Sequence, residues 1–453
     1  MKVDGKEVSL LPGRLRWAPG KFGTGVTREV LALQLCSHGG GKAGEYRVPH
    51  YSRQALGAAF GPLDLGALVR FCRGLEVALS DTSKAGELFV TTPLTDKEYF
   101  ANASVLIGAY MILKHEWSVS SLVDAMGAQC TDAKFVCSWT AKKNLEQDRV
   151  MRVRHCWEGI SLAVRCRWIN ASFVDDDLKA DVGCMKYESR IYGFDAAWII
   201  PGSLMVGADP TTVTYDPNPV TCKALLPGKE EPIASLPASP CGVEMHTPAS
   251  RLSSSTVASV DTVCKEYRDD FSDDGTVGQT VANNPPDYVS FLQQSCIGLV
   301  VRVNYEMETG MPQKSYADDV FEPWGIAQQN IPVVDTQGGL PRGADVALMI
   351  EACEGYAETG CSAVLVHCKG GFGRSAVLAC CLAIYRLDIP GAAMLGWARI
   401  ARPGAITTVK QELFLISLKG RREVMRYARM GSSDAFGGAS CASEACGGTC
   451  TTQ

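Results

Sequence analysis

The stretch Val364–Ser375, with the sequence VLVHCKGGFGRS, is the part of this 453-residue chain that decides its fold. The apolar run Ala363–Val366 predicts a buried strand, and the run Ala376–Leu387, which lacks glycine and proline, predicts a buried helix. The glycine-rich segment between Cys368 and Arg374 should therefore form a loop at a helix N-terminus. Backbone N–H groups lack partners there and the helix dipole favours negative charge, so the sequence predicts an anion site.

The residue types in this loop are those that phosphoryl transfer needs. Its electropositive setting favours the thiolate form of Cys368, which is the nucleophilic form. Arg374 offers a planar fork of N–H donors that can hold two phosphate oxygens, and Ser375 can hydrogen-bond the sulfur. The alternative is a glycine turn with a buried structural cysteine. We predict that phosphate is bound by Lys369, Gly370, Gly371, Phe372, Gly373 and Arg374.

A second segment predicts the proton donor for the leaving group. Asn330–Asp335 has the pattern of a strand that ends in an acid, and the flexible segment Thr336–Gly339 follows it. A carboxylic acid is a usual proton donor to a leaving oxygen, so Asp335 is a candidate proton donor. The segment resembles the mobile acid loop of a protein phosphatase family, which implies that Asp335 is the general acid and then the general base. The alternative is an aspartate that caps the helix predicted to begin near Ala344.

Several motifs along the chain resemble one family. They are His367–Ser375, Gly396–Ile406, Phe60–Leu65, Ala101–Tyr110 and Trp198–Gly202. The first resembles the signature of the cysteine-dependent protein phosphatases. Together they resemble one branch, the cell-division-cycle-fourteen, or mitotic-exit, dual-specificity phosphatase family, over most of the chain except about 209–283 and the tail.

The resemblance implies an α/β fold and roles for further residues. The implied fold has two tandem phosphatase-like domains, each a central, mostly parallel sheet flanked by helices, and only the second domain is catalytic. Gln411 is implied to help position the hydrolytic water, with a solvated helix residue as the alternative. The family prefers phosphoserine followed by proline, with a basic residue further on. Glu188 and Asp195 match acids that read the basic residue, with a solvated surface charge as the alternative for each.

The chain divides by composition and resemblance into two domains and a tail. Residues 1–183 are predicted to form the N-terminal domain without catalytic residues, 184–197 a linker, and 198–430 the catalytic domain. Repeated prolines, a serine-rich run and paired aspartates predict a disordered insertion at about 209–283. Residues 431–453, which are rich in glycine, serine and cysteine, predict a flexible tail.

The overall composition favours a protein that acts on phosphoproteins. Its hydrophobic content of 46% and charged content of 21% are typical of a soluble globular protein. The net charge of −5 offers no general attraction to nucleic acid or to an anionic membrane, and neither is a predicted partner. The loop also carries Lys369 alone, where lipid phosphatases tend to carry two lysines.

The remaining expectations concern cofactors, location and alternative functions. The expected reaction hydrolyses phosphoserine, phosphothreonine or phosphotyrosine monoesters in two steps: the Cys368 thiolate attacks phosphorus, and water then hydrolyses the phosphocysteine. It needs no cofactor or metal ion. The N-terminus lacks an apolar secretory core, so the cysteines are expected to be reduced and the protein to lie in the nucleus or cytoplasm. Two other functions stay open: an RNA 5′-triphosphatase, and a phosphoprotein-binding scaffold with little turnover.

Overall fold

The computed structural model describes most of both halves of the chain. The described residues are 7–18, 30–32, 35–36, 46–47, 62–80, 88–91, 97–135, 150–172, 187, 190–191, 193–211, 285–309, 311, 314–335, 339–357 and 363–430. Apart from residues 209–211, the predicted insertion at about 209–283 lies outside them, as do Glu188 and the predicted tail at 431–453.

The N-terminal half has a sheet of its own. Its strands β1 (Val8–Leu11), β2 (Leu15–Trp17), β3 (Val30–Ala32) and β6 (Leu88–Thr91) lie in the order β1-β2-β6-β3, while β4 (Leu35–Cys36) and β5 (Tyr46–Arg47) pair separately. Strands β2 and β3 run parallel to β6. The described helices of this half are α1 (Leu65–Ser80), α2 (Lys97–His115), α3 (Val119–Thr131) and α4 (Val153–Arg165).

The second half is built on a five-stranded sheet. Strands β7 (Ala196–Ile200), β8 (Leu204–Ala208), β9 (Ile297–Arg302), β10 (Ala327–Asn330) and β11 (Ala363–Cys368) lie in the order β10-β9-β11-β8-β7. All neighbours are parallel except β7 and β8. Strand β11 is central and buried along its whole length, because helices cover both faces of a parallel sheet. The predicted mostly parallel sheet is therefore confirmed.

The helices of the second half follow the sheet in chain order. They are α5 (Pro285–Gln294), α6 (Gly343–Ala357), α7 (Arg374–Leu387), α8 (Gly391–Ala401), α9 (Val409–Ser417) and α10 (Arg421–Arg429). Helix α7 begins two residues before the predicted start at Ala376 and is almost wholly buried. It leads directly out of the glycine-rich loop, as the sequence predicts.

The strand predicted at Asn330–Asp335 is wrong in its bounds. Strand β10 ends at Asn330, where the predicted strand begins. Beyond it the chain stays extended: the N–H of Ile331 donates to the carbonyl of Arg302, and the N–H of Val333 to that of Val303, both at 2.9 Å. Pro332, which has no N–H to donate, lies between these two donors on the side away from β9.

The two halves are joined by a close crossing of α4 and α8. Gly159 of α4 and Gly396 of α8 face the partner backbone, because a Cβ at Gly396 would lie 1.9 Å from the carbonyl oxygen of His155. Beside them, the buried carboxylate of Glu412 accepts a hydrogen bond from the N–H of Met151 (3.0 Å) and pairs with the buried Arg399 (2.5 Å). Apolar side chains of both halves belong to one continuous core.

We expect Gly396→Ala to destabilise the protein by about 1–3 kcal/mol, because the added methyl group must push backbone atoms of α4 away. Urea unfolding measures the change. Gly355→Ala is the matched control, since Gly355 lies in α6 with nothing within 4 Å of an added Cβ. That control should gain up to about 1 kcal/mol from its better helix propensity. Equal stability of the two variants would show that the crossing is not tight.

Candidate active site

The loop 369–373 lies between the carboxyl end of β11 and the N-terminus of α7. Cys368 is buried at the end of the strand, and Gly373 occupies the helix N-cap. Because Gly373 has no side chain, it leaves the first N–H groups of α7 uncapped, which is the arrangement that binds anions. The hydroxyl of Ser375 donates to the sulfur of Cys368 at 3.2 Å. The sequence predicts this hydrogen bond to the sulfur.

The turn of the loop requires glycine at one position in particular. Gly371 has a φ of 68°, and a Cβ there would lie 2.3 Å from the carbonyl carbon of Gly207 at the end of β8. The loop is therefore packed tightly against the neighbouring strand. Lys369 reaches sideways, and its ammonium group donates to the carbonyl of Thr309 at 2.6 Å. This bond ties the loop to the segment that follows β9.

The guanidinium of Arg374 is held by three separate groups. Its two terminal nitrogens donate to the two carboxylate oxygens of Glu308, at 2.6 and 2.7 Å. One of them also donates to the carbonyl of Val333 (2.9 Å), and the other lies 3.3 Å from the carboxylate of Asp335. Burial acts to lower the pKa of Arg374, but the Glu308 bonds and the nearby negative groups outweigh it and raise the pKa. The cation is therefore permanent and fixed in direction.

Glu308 is a site residue that the sequence analysis missed. Its carboxylate also accepts from the N–H of Tyr305 at 2.9 Å. Partial burial acts to raise its pKa, but the bonds from Arg374 and Tyr305 are stronger and the net pKa is lowered. It therefore stays ionised beside Arg374. No pattern marks this acid in the sequence, because it lies in a polar segment without a motif.

We expect Glu308→Gln to lower kcat/KM about tenfold, because hydrogen bonds to a charged group contribute about 1.5–3 kcal/mol and the amide can accept only on one side. Steady-state hydrolysis of a phosphopeptide measures it. Glu306→Gln is the control, since Glu306 pairs with Lys314 at the surface and not with the loop. Comparable losses in both variants would argue against a specific role for Glu308.

Asp335, the predicted general acid, lies at the surface beside the loop. Its side chain is 56% exposed, and its carboxylate lies 3.3 Å from the guanidinium of Arg374. The helix-capping alternative is wrong, because a different acid does this work. Asp345 in the first turn of α6 accepts from the N–H of Arg342 at 2.7 Å. Asp335 is thus left available at the mouth of the site.

Gln411 is buried, so the solvated-residue alternative is wrong. It is 1% exposed. Its side-chain nitrogen donates to the carbonyl of Gly339 at 3.1 Å, and its oxygen accepts from the N–H of Thr407 at 2.9 Å. A Cβ on Gly373 would lie 3.1 Å from the same nitrogen. Gln411 therefore contacts both the loop and the end of the segment that carries Asp335.

A buried polar cluster lies beneath the loop. Asp209, at the end of β8, accepts from the hydroxyl of Ser315 (2.6 Å), the amide of Asn304 (2.9 Å) and both donors of Thr211 (2.9 and 2.7 Å). Its own N–H donates to the carbonyl of Lys369 at 3.3 Å. The cluster therefore fixes the first residue of the loop, and sequence inspection gave no sign of it.

His367 adjoins this cluster and is neutral at pH 7. Burial is the main cause that lowers its pKa to about 4, although the carboxylate of Asp209 acts in the opposite direction. Its Nε2 is hydrogen-bonded to the hydroxyl of Tyr316. The imidazole therefore contributes packing and a hydrogen bond below the nucleophile, and not a positive charge.

Other thiols near the core are held in the protonated form. Burial raises the pKa of Cys353 to about 11 and that of Cys381 to about 12. None of the cysteines whose side chains are described lies in a disulfide. These protonated, buried thiols are poor nucleophiles, so they do not compete with Cys368.

Of the two acids predicted to bind the basic residue of the substrate, the structure describes only one. Glu188 lies outside the described residues, so its role stays a prediction. The carboxylate of Asp195 is 2.9 Å from the guanidinium of the buried Arg402, so it is an ion-pair partner and not the solvated charge of the alternative reading. Arg402 was not singled out for a role in the sequence.

Neither a metal-binding cluster nor a membrane-spanning helix is found among the described residues. In the described ranges, no set of three or more His, Cys, Asp or Glu side chains is grouped so as to hold a metal ion. None of the helices described is both long and apolar enough to span a membrane.

Comparison with protein families gives two matches along the chain. The family described as "Dual specificity protein phosphatase, N-terminal half" matches residues 50–163. The family described as "Swiss Army Knife protein, DSP-PTPase phosphatase domain" matches residues 291–415, a range that holds Asp335, Cys368, Arg374 and Gln411. The two matches fall on the two halves of the fold.

Comparison with individual proteins gives relatives of low identity. The chain is 23% identical over 358 residues to dual specificity protein phosphatase CDC14AB of Danio rerio, covering 78% of this chain and 44% of the relative. It is 22% identical to human CDC14A, covering 78% and 46%. The chain thus spans about half the length of these curated relatives. Among solved structures, kinase associated phosphatase matches with 24% identity and a TM-score of 0.28, over 34% of this chain and 83% of that chain.

Proposed function

Because the chain belongs to the CDC14-like dual-specificity phosphatases of the protein tyrosine phosphatase superfamily, we propose that it hydrolyses phosphate monoesters on proteins through a phosphocysteine intermediate. The observation that carries the proposal is the arrangement around Cys368. Its sulfur accepts a hydrogen bond at the base of an anion-binding loop, and the fixed Arg374 and the exposed Asp335 lie side by side.

In the first step, the Cys368 thiolate attacks phosphorus in line with the bond to the leaving oxygen. The new S–P bond forms as the P–O bond breaks, and Asp335 gives its proton to the departing oxygen. Arg374 and the loop N–H groups hold the remaining phosphate oxygens. Since Glu308 already fixes the guanidinium, little reorganisation is needed as charge builds on those oxygens.

In the second step, water replaces the sulfur. Asp335, now a carboxylate, takes a proton from the water, whose oxygen attacks phosphorus while the S–P bond breaks. The products are inorganic phosphate and the Cys368 thiolate, which Ser375 stabilises through its hydroxyl. Gln411 is the proposed guide for the water, and its contacts with Gly339 and Gly373 support that role.

The rim of the site supports a preference for an apolar residue beside the phosphorylated one. Met307 and Val334 are 59% and 53% exposed, and they directly precede Glu308 and Asp335, the two acids on Arg374. Tyr305 is also exposed. We therefore propose proline-directed phosphoserine and phosphothreonine sites, with phosphotyrosine also accepted, on cell-cycle proteins of the nucleus or cytoplasm.

Phosphopeptide turnover tests the proposal. Peptides with proline after the phosphoserine should be hydrolysed faster than matched peptides with alanine, and Met307→Ser together with Val334→Ser should reduce that ratio without abolishing turnover. Faster release of phosphate from 5′-triphosphorylated RNA would favour the RNA triphosphatase instead. A burst of one phosphate per chain with no further turnover would favour the scaffold.

A further inference from the structure

Three consecutive carbonyl groups of the loop are held by the segment that follows α8. Arg402 donates from Nε to the carbonyl of Gly371 at 3.1 Å, and from a terminal nitrogen to that of Gly370 at 3.4 Å. The N–H of Ile406 donates to the carbonyl of Phe372 at 2.7 Å. A trans peptide group points its N–H opposite to its carbonyl, so these bonds set the direction of the next three N–H groups.

Arg402 is itself fixed from two sides. It is fully buried, and its guanidinium lies 4.8 Å from the centre of the Phe372 ring. Its remaining terminal nitrogen donates to the carboxylate of Asp195 at 2.9 Å. One planar group therefore contacts two loop carbonyls, a loop side chain and an acid from the segment that enters β7.

Asp195 is anchored to the scaffold through its backbone. Its carbonyl accepts from the N–H of Ala208 at 3.0 Å, and its N–H donates to the carbonyl of Ile191 at 3.2 Å. Its φ of 46° is a conformation that non-glycine residues rarely adopt. Such a backbone persists only where its surroundings hold it, and it directs the carboxylate of Asp195 to Arg402.

We propose that Arg402, oriented by Asp195, is a positioning residue that locks the peptide planes of Gly370 and Gly371 so that the loop N–H groups converge on the phosphate. The effect on turnover rests on the proposed phosphatase function; the effect on anion binding does not. Asp195 then acts on the substrate phosphate through Arg402, and not by reading a basic residue of the peptide.

The role depends on the shape of the guanidinium as well as on its charge. A lysine at this position carries the same charge, but a single ammonium group cannot bond both carbonyls and the Asp195 carboxylate in a fixed plane. Charge alone would attract an anion in the loop equally well with arginine or with lysine at position 402, but not with methionine. Comparing lysine and methionine at position 402 therefore separates positioning from simple attraction.

The binding of tungstate, a tetrahedral oxyanion that is not hydrolysed, tests the proposal by calorimetry on the full chain. We expect Arg402→Met to weaken tungstate affinity about tenfold, equivalent to about 1.4 kcal/mol, and Arg402→Lys to remain within about threefold of Arg402→Met. Alkylation of Cys368 by iodoacetamide at pH 7, followed by peptide mass spectrometry, should slow in both variants because misdirected N–H groups stabilise the thiolate less.

Two further variants keep the test decisive. Asp195→Asn retains the side-chain shape, so it should fold even where Arg402→Met does not, and it should lose about threefold in tungstate affinity if orientation matters. Glu412→Gln removes a different buried partner of an arginine, at the junction of the halves; it should lower the unfolding midpoint and leave tungstate affinity unchanged.

Several results would overturn the role proposed for Arg402 or the proposed phosphatase function. Full tungstate affinity in Arg402→Met or Asp195→Asn overturns the proposal, as does restored affinity in Arg402→Lys. An equal loss in Glu412→Gln also overturns it, because general softening would then explain the effect. If the unmodified chain binds tungstate but hydrolyses no phosphopeptide, the proposed function fails while the role of Arg402 is still measured.

Discussion

Replacing the sulfur of Cys368 by oxygen in Cys368→Ser should reduce phosphopeptide hydrolysis by about 10⁴-fold or more, as expected for loss of a covalent nucleophile. A serine hydroxyl is not ionised at neutral pH, so it is a far weaker nucleophile than a thiolate. Phosphate release from a phosphopeptide measures the loss. Binding of the same peptide should persist, because Arg374 and the loop N–H groups remain.

The control for this variant is Cys296→Ser. Cys296 is exposed at the turn before β9, away from the loop. It should retain full turnover, which excludes a general effect of removing a thiol. Turnover of Cys368→Ser at the unmodified rate would refute the phosphocysteine mechanism.

Asp335→Ala should lose about 10²–10⁴-fold in kcat for a phosphoserine peptide, the usual contribution of a general acid. A serine alkoxide is a poor leaving group and needs a proton as the P–O bond breaks. The loss should be much smaller for p-nitrophenyl phosphate, whose phenolate leaves without one.

Asp319→Ala serves as the control for Asp335→Ala, since Asp319 is an exposed acid outside the site. Its kcat should match that of the unmodified chain for both substrates. An equal loss for the serine peptide and the nitrophenyl ester in Asp335→Ala would show that Asp335 orients Arg374, which it contacts, and does not donate the proton.

The loop could be predicted because it is local. One strand, one turn and one helix carry Cys368, Arg374 and Ser375, and their contacts follow from their spacing. The mostly parallel sheet was expected from the family resemblance, and the structure has it in the second half, where only β7 and β8 are antiparallel. The strand predicted at Asn330–Asp335 differs from β10, which ends at Asn330, because an apolar extended segment with a proline resembles a strand in sequence.

The rest of the site could not be predicted because it is assembled from distant segments. Glu308 reaches Arg374 across 66 positions, and Arg402 meets Asp195 across 207. A lone acid in a polar segment carries no periodicity and no motif. Gln411 was ambiguous for a related reason, since its burial depends on Gly339 and Gly373, which only the tertiary fold brings to it.

The glycine contact between Gly159 and Gly396 has a consequence for how such a chain can change over time. Helix α8 touches the N-terminal half at Gly396 and ends one residue before Arg402, which holds the loop. A half that carries a larger residue in place of either glycine would set a side chain against backbone at this crossing. The two halves would then be inherited together, because recombination between them would disturb the helix that leads into Arg402 and its contacts with the glycine-rich loop.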